Sequence, residues 1–421
     1  LKKTRNKKHL ILYICSHNLH SMTLIKKANI AQLLVLSLAI SSCAKEIKKV
    51  ELTDAQLPKN VLPFVKPASK DSTQLPADYI AAKKVKIDAF YQKNWLNNSM
   101  NGSFLVAQNG QIIYEKYHGL ANFRDKDSIT SETPLHIASV SKVLTATVIL
   151  KLVNAKRIDL DQKVTTLLDR FPYPEVTVRT LLNHRSGIRN YSYFTDRKTN
   201  IWDRHKTLTN QDLLDLMATK NIDLEFKTDS RFAYCNTNYA MLALIIEKVT
   251  KLSYIEAMDK MLFQPLGMTH SFVCDIKKDK KRIVPSYKAN KVEIGVDFLD
   301  GVYGDKNIYS TPRDLLKFDL ARNAKNFLEP ELWAQVFKPY SNERKGTKNY
   351  GLGIRMINWD TGQNFYFHNG WWHGNTSSYI TLPKEKVVII ALSNKMTKNT
   401  YAVRKLAKLF GDYPFKLEDE E

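Results

Sequence analysis

Two hydrophobic rhythms alternate along this chain. Phe104-Leu105-Val106-Ala107-Gln108 and Gln111-Ile112-Ile113-Tyr114-Glu115 are short β-prone runs on either side of Asn109-Gly110. That dipeptide favours a two-residue hairpin turn. Near the other end, residues 378–382 and 387–392 flank Pro383-Lys384-Glu385-Lys386 and predict a second hairpin. From Val140 to about Lys325 the text is mostly helical. Ile80, Ile87, Phe90 and Tyr91 fall on one face of a helix ahead of the first hairpin. Val403, Leu406, Leu409 and Phe410 predict a closing helix that stops near Gly411. β text at both ends with helical text between predicts a discontinuous α/β (α+β) architecture, in which an antiparallel sheet flanked by helices sits beside an all-helical subdomain. The sheet part takes about 77–139 and 345–412, and the helical part about 140–344. A cleft between the two is where a pocket is expected.

The N-terminal text has another character. Lys26 and Lys27 precede an apolar stretch from Ile30 to Ile40, too short to span a bilayer and suited to a signal-peptide core. It ends at Ile40-Ser41-Ser42-Cys43, which resembles a bacterial lipobox with Cys43 as the lipidated first residue of the mature chain. Residues 1–42 therefore read as a leader. Residues 43–76, interrupted by Pro58, Pro63, Pro67 and Pro76, read as a tether. The body runs from 77 to 412 and is followed by an acidic tail, 413–421. The expected location is the periplasmic or exterior side of a membrane, held there by the lipid.

Charge agrees with that placement. Lys and Arg number 64 against 42 Asp and Glu, a net charge of +22. Such a field suits anionic head groups or acidic cell-wall polymers. Nucleic acid is not expected, because no binding motif accompanies the charge. Cys235 and Cys274 in the body read as free thiols. No cofactor motif is visible. His368 and His373 lack a carboxylate or thiolate at ligand spacing, so no metal is expected.

Candidate chemistry begins at Ser139-Val140-Ser141-Lys142, at the mouth of an apolar helix. Residues i and i+3 share a helix face, so Ser139 and Lys142 can touch. A serine hydroxyl needs a base to become a nucleophile, and an amine set among Ile137, Val143, Leu144 and Val148 is suited to that work. Tyr234-Cys235-Asn236 stands on a bend before the apolar run 240–246. Its phenol can relay a proton and its amide can hold a substrate carbonyl or the lysine. Tyr340-Ser341-Asn342 has the same pattern without an apolar helix behind it. His368-Asn369-Gly370 follows a β-prone run, where a glycine lets backbone approach a ligand. The N–H of Trp371 with that of Ser139 could form an oxyanion hole. His184 and Ser186 read as members of a structural loop.

These three elements in this order resemble the serine β-lactamase and penicillin-binding superfamily, in its class C-like branch of D,D-peptidases, D-aminopeptidases and esterases. Three further stretches are similar to that branch: Leu181-Leu182-Asn183-His184-Arg185-Ser186-Gly187, Ser310-Thr311-Pro312-Arg313-Asp314-Leu315 and Tyr350-Gly351-Leu352-Gly353. The resemblance implies Ser139 as nucleophile and Lys142 as its base or relay. It implies Tyr234 as the base for deacylation, and Asn236, His368, Gly370 and Trp371 as substrate-binding residues. The third motif departs from the common Lys-Thr-Gly, with His368 in place of the lysine and Trp371 and Trp372 behind it. The expected reaction is hydrolysis of a D-amino-acid peptide or small ester bond through an acyl-enzyme. A β-lactamase with the same chemistry and an inactive lipid-anchored wall sensor are the alternatives.

Overall fold

The computed structural model describes residues 74–98, 100–343, 346 and 348–416. The leader, Cys43 and nearly all of the tether lie outside the described residues. Seven strands form one antiparallel sheet: β1 (Gly102–Gln108), β2 (Gln111–His118), β3 (Lys348–Tyr350), β4 (Arg355–Asn358), β5 (Asn364–Trp372), β6 (Asn375–Leu382) and β7 (Val387–Ser393). Their spatial order is β3-β4-β5-β6-β7-β1-β2. The N-terminal hairpin thus joins the C-terminal strands through β1 and β7, with Gly102 opposite Ser393. Both predicted hairpins form. At the first, Gln108 pairs with Gln111 and the two turn residues have φ of 52° and 78°. Asn and Gly tolerate that left-handed geometry.

Alternation along the strands divides the sheet between two cores. Phe104, Val106, Ile389 and Ala391 face outward against helix α1 (Ala77–Asn94), which buries Ile87, Phe90 and Tyr91. Leu105, Ala107, Ile390 and Leu392 face inward to the larger core. The closing segment Asn399–Leu409 is a 3₁₀ helix rather than an α-helix. Thr400, Val403, Leu406 and Leu409 are buried at a spacing of three, the period at which 3₁₀ side chains eclipse. Tyr413 is buried and Phe415 packs on the outer core, so the packed body runs past residue 412.

Helix α2 (Ser141–Asn154) is buried from Ser141 to Leu152, with Thr145, Thr147 and Lys151 donating to carbonyl oxygens. Against it stands α3 (Asn236–Thr250), buried over most of its length. The intervening part is helical but not purely so. Leu135–His136, Ile308–Ser310 and Phe272–Val273 form a small sheet. It brings the 300–307 loop behind the start of α2. No helix among the described residues is long and apolar enough to cross a membrane.

Candidate active site

Ser139 lies in a single 3₁₀ turn, Ala138–Val140, that runs directly into α2. Its Oγ is 3.2 Å from Lys142 Nζ. Lys142 is fully buried, and its Nζ donates to the Asp305 carbonyl at 2.8 Å. One turn of helix therefore pairs the serine and the lysine, while a loop carbonyl aims the amine. Tyr234 stands just before α3, its ring centroid 5.1 Å from Lys142 Nζ. The Tyr234 hydroxyl is enclosed and has no hydrogen-bond partner among the described residues, and neither has Asn236 Oδ1. Leaving a buried polar atom unpaired costs about 1–3 kcal/mol. Native proteins keep such atoms where a ligand or water completes them.

His368 is brought to the same place but does not point a free donor at it. Its Nδ1 is 2.8 Å from the Asn369 carbonyl, which can only accept, so Nδ1 carries the proton. Burial, with Arg355 and Lys142 close by, holds its pKa well below the usual histidine value. The ring is therefore neutral, and its Nε2 accepts from the Tyr350 hydroxyl at 3.2 Å. The strand runs through Gly370 to Trp372. A Cβ at Gly370 would stand 2.9 Å from Ser139 N and 2.5 Å from the Ile137 carbonyl. Glycine is needed there because β5 backs directly onto the nucleophile turn. Trp371 is 59 % exposed.

Sequence reasoning missed Arg355. Its guanidinium lies 4.5 Å from the Tyr234 ring centroid and 5.7 Å from that of Tyr350. It has no carboxylate partner among the described residues. The signal available was an arginine flanked by Ile354 and Met356. His184 is more than a loop residue. It is fully buried, its ring 4.4 Å from that of Tyr234, and its Nδ1 accepts from the Cys235 N–H at 3.2 Å. Ser186 bonds Asn238 and the Ile188 N–H and has the structural place expected of it. Tyr340 lies elsewhere, bonded to Arg179.

Cys235 and Cys274 are free and buried. Burial pushes their thiols up to about 11 and about 12, which denies either a thiolate at neutral pH. Asp297 and Asp300 gather beside His373. His373 bonds both Asp300 oxygens at 3.1 and 3.0 Å, and Trp372 Nε1 donates to one of them at 2.6 Å. His373 and Trp372 thus meet on the Asp300 carboxylate beside the β5–β6 turn.

A family model described as beta-lactamase matches residues 95–410. The chain belongs to the beta-lactamase family. Within this family of serine hydrolases, the chain is 29% identical over 363 residues to penicillin-binding protein 4* of Bacillus subtilis (strain 168), covering 80% of this chain and 79% of that one. It is 26% identical over 272 residues to the teichoic acid D-alanine hydrolase of Staphylococcus aureus (strain MRSA252), covering 64% of this chain and 63% of the relative. The crystal structure of a penicillin binding protein from Bacillus halodurans superposes with a TM-score of 0.67 at 22% identity, covering 76% of this chain and 98% of that one. The fold is thus that of the serine β-lactamase and penicillin-binding superfamily.

Proposed function

We propose that this chain is a serine hydrolase that forms an acyl-ester on Ser139 and cleaves D-amino-acid peptide or small ester bonds. The observation that carries the reading is the Ser139–Lys142 pair at 3.2 Å, beside an enclosed Tyr234 hydroxyl with no partner among the described residues. Lys142 Nζ takes the Oγ proton while Oγ attacks the acyl carbon. The N–H groups of Ser139 and Trp371 receive the oxyanion. The leaving amine or alkoxide takes a proton relayed through Lys142 and Tyr234. Water then attacks the ester, giving its proton to the same pair, and Ser139 is released. The Arg355 cation beside Tyr234, with no carboxylate partner among the described residues, suits an anionic group on the substrate. A D-alanyl substrate also agrees with the name of the staphylococcal relative. In this reading the lipid on Cys43 keeps the basic body near acidic wall polymers.

The test is intact mass of the protein after incubation with a fluorophosphonate and, separately, with a penicillin, with Ser139→Ala in parallel. The expected result is an adduct on the parent that is absent from Ser139→Ala. Labelling by penicillin as well moves the substrate toward D-alanyl peptides or a β-lactamase activity, which turnover of the penicillin separates. Labelling by the fluorophosphonate alone favours an esterase or D-aminopeptidase. Folded parent protein that takes neither reagent would overturn the hydrolase and leave the binding role.

A further inference from the structure

Ser139 follows an alanine with left-handed backbone. Ala138 has φ of +47°, a region that a residue with a β-carbon rarely adopts. Such a conformation persists only where its surroundings over-determine it. The Ile137 N–H donates to the Ile308 carbonyl at 2.9 Å, and the Ile137 carbonyl accepts from Ser377 Oγ at 2.6 Å. The Ala138 N–H itself donates to Nδ1 of His136 at 3.0 Å. That bond fixes the tautomer: Nδ1 holds a lone pair, so Nε2 carries the proton and donates to Asn307 Oδ1 at 3.3 Å. The Asn307 amide in turn donates to the carbonyls of Asp300 and Val302, at 2.6 and 2.9 Å. The imidazole is thereby tied to the loop whose Asp305 carbonyl holds Lys142 Nζ. Edge-on contact with the Tyr309 ring, 5.0 Å between centroids, keeps it in place.

We infer that His136 is a positioning residue that sets the distance and orientation between Ser139 and Lys142. One ring nitrogen pins the backbone just ahead of the nucleophile. The other pins the loop that aims the base. Burial pushes the pKa of this histidine down to about 4, so both bonds keep their direction at neutral pH. The inference rests on the Ser139–Lys142 chemistry proposed above and adds a residue that touches neither substrate nor reacting atoms.

The test uses the full chain and three variants, His136→Leu, His136→Asn and His136→Gln. The readouts are the rate constant for fluorophosphonate labelling and the thermal midpoint. His136→Leu is expected to label about 10–100-fold more slowly while folded, the scale of a small misplacement of reacting groups. His136→Asn, whose short amide oxygen can reach the Ala138 N–H, is expected to recover most of that loss. A merely structural residue would lower the midpoint without changing the labelling rate of folded protein. Parental labelling by folded His136→Leu overturns the inference and leaves the hydrolase reading intact. A parent that does not label overturns both. If His136→Leu does not fold, the other two decide, since Asn keeps the acceptor toward Ala138 and Gln keeps the donor toward Asn307. Parental rates in both would overturn the inference.

Discussion

The outer and inner faces of the central sheet are made by alternate residues of the same strands, yet they are filled differently. The outer face meets apolar and aromatic side chains. Tyr91, Trp95, Phe104 and Tyr114 pack with ring centroids 5.5–5.8 Å apart. The inner side leads into a core that also encloses Lys142, His136, His184, His368 and Lys306. Burial disfavours the charged form of the three histidines and of Lys306. The outer face can therefore be read as stability alone, whereas the inner core gives up stability to hold polar groups where a substrate will need them. This is the local inconsistency expected of a functional site.

Acid should expose that difference most strongly. Desolvation by burial, the leading cause in each case, lowers His136 to about 4 and His184 and His368 well below 6.5. All three stay neutral in the folded chain while their unfolded counterparts charge below about pH 6.5. The unfolded state then binds more protons, so stability rises with pH up to that value and is lost below it. Each histidine costs about 1.4 kcal/mol per pH unit in that window. His373 runs the other way. Burial opposes its charge, but the bond to Asp300 outweighs burial and raises it, so its contribution is present at low pH and offsets part of the loss. Urea midpoints at pH 7 and pH 5 should show a large fall, with uptake of about three protons on unfolding. A flat profile would mean that these rings are not held neutral.

The outer face should answer to packing instead. Phe104 is fully buried among three other rings. Phe104→Ala is expected to cost about 3–5 kcal/mol, with little dependence on pH between 5 and 7. The fluorophosphonate labelling rate of whatever remains folded should be that of the parent. A specific loss of labelling in folded Phe104→Ala would mean that the two faces are coupled more tightly than their separate cores imply.

The outer face was also the easier one to read. Asn109-Gly110, the two hairpins and the apolar stripe of α1 are local signals, and each appears where the sequence put it. Ser139 and Lys142 were legible because a helix turn links them at three residues' separation. His136, Arg355 and the Asp305 carbonyl were not. His136 acts through Asn307, 171 positions away, and Asp305 reaches Lys142 across 163. Neither shares an element with its partner, so no periodicity could connect them. His368 was placed correctly and its environment was not, because only the fold reveals that Tyr350 and the Asn369 carbonyl occupy both ring nitrogens. The closing helix was misjudged in its winding, since a stripe at 403, 406 and 409 fits three residues per turn as well as 3.6.

Tyr234 offers the smallest expected effect and the sharpest separation of the two faces. Its hydroxyl is enclosed without a partner among the described residues, so removing it takes away an unmet hydrogen-bonding need rather than a bond. Tyr234→Phe should leave the thermal midpoint unchanged or raise it slightly, since an unsatisfied buried hydroxyl costs about 1–3 kcal/mol. Turnover of a chromogenic ester or D-alanyl peptide should fall by about 100-fold or more if the phenol relays protons. The pair of results matters more than either alone. Lower stability with normal turnover would assign Tyr234 to packing against His184 and Arg355. A higher midpoint with lost turnover would mark the inner core as a place where the chain holds a group its own fold does not use.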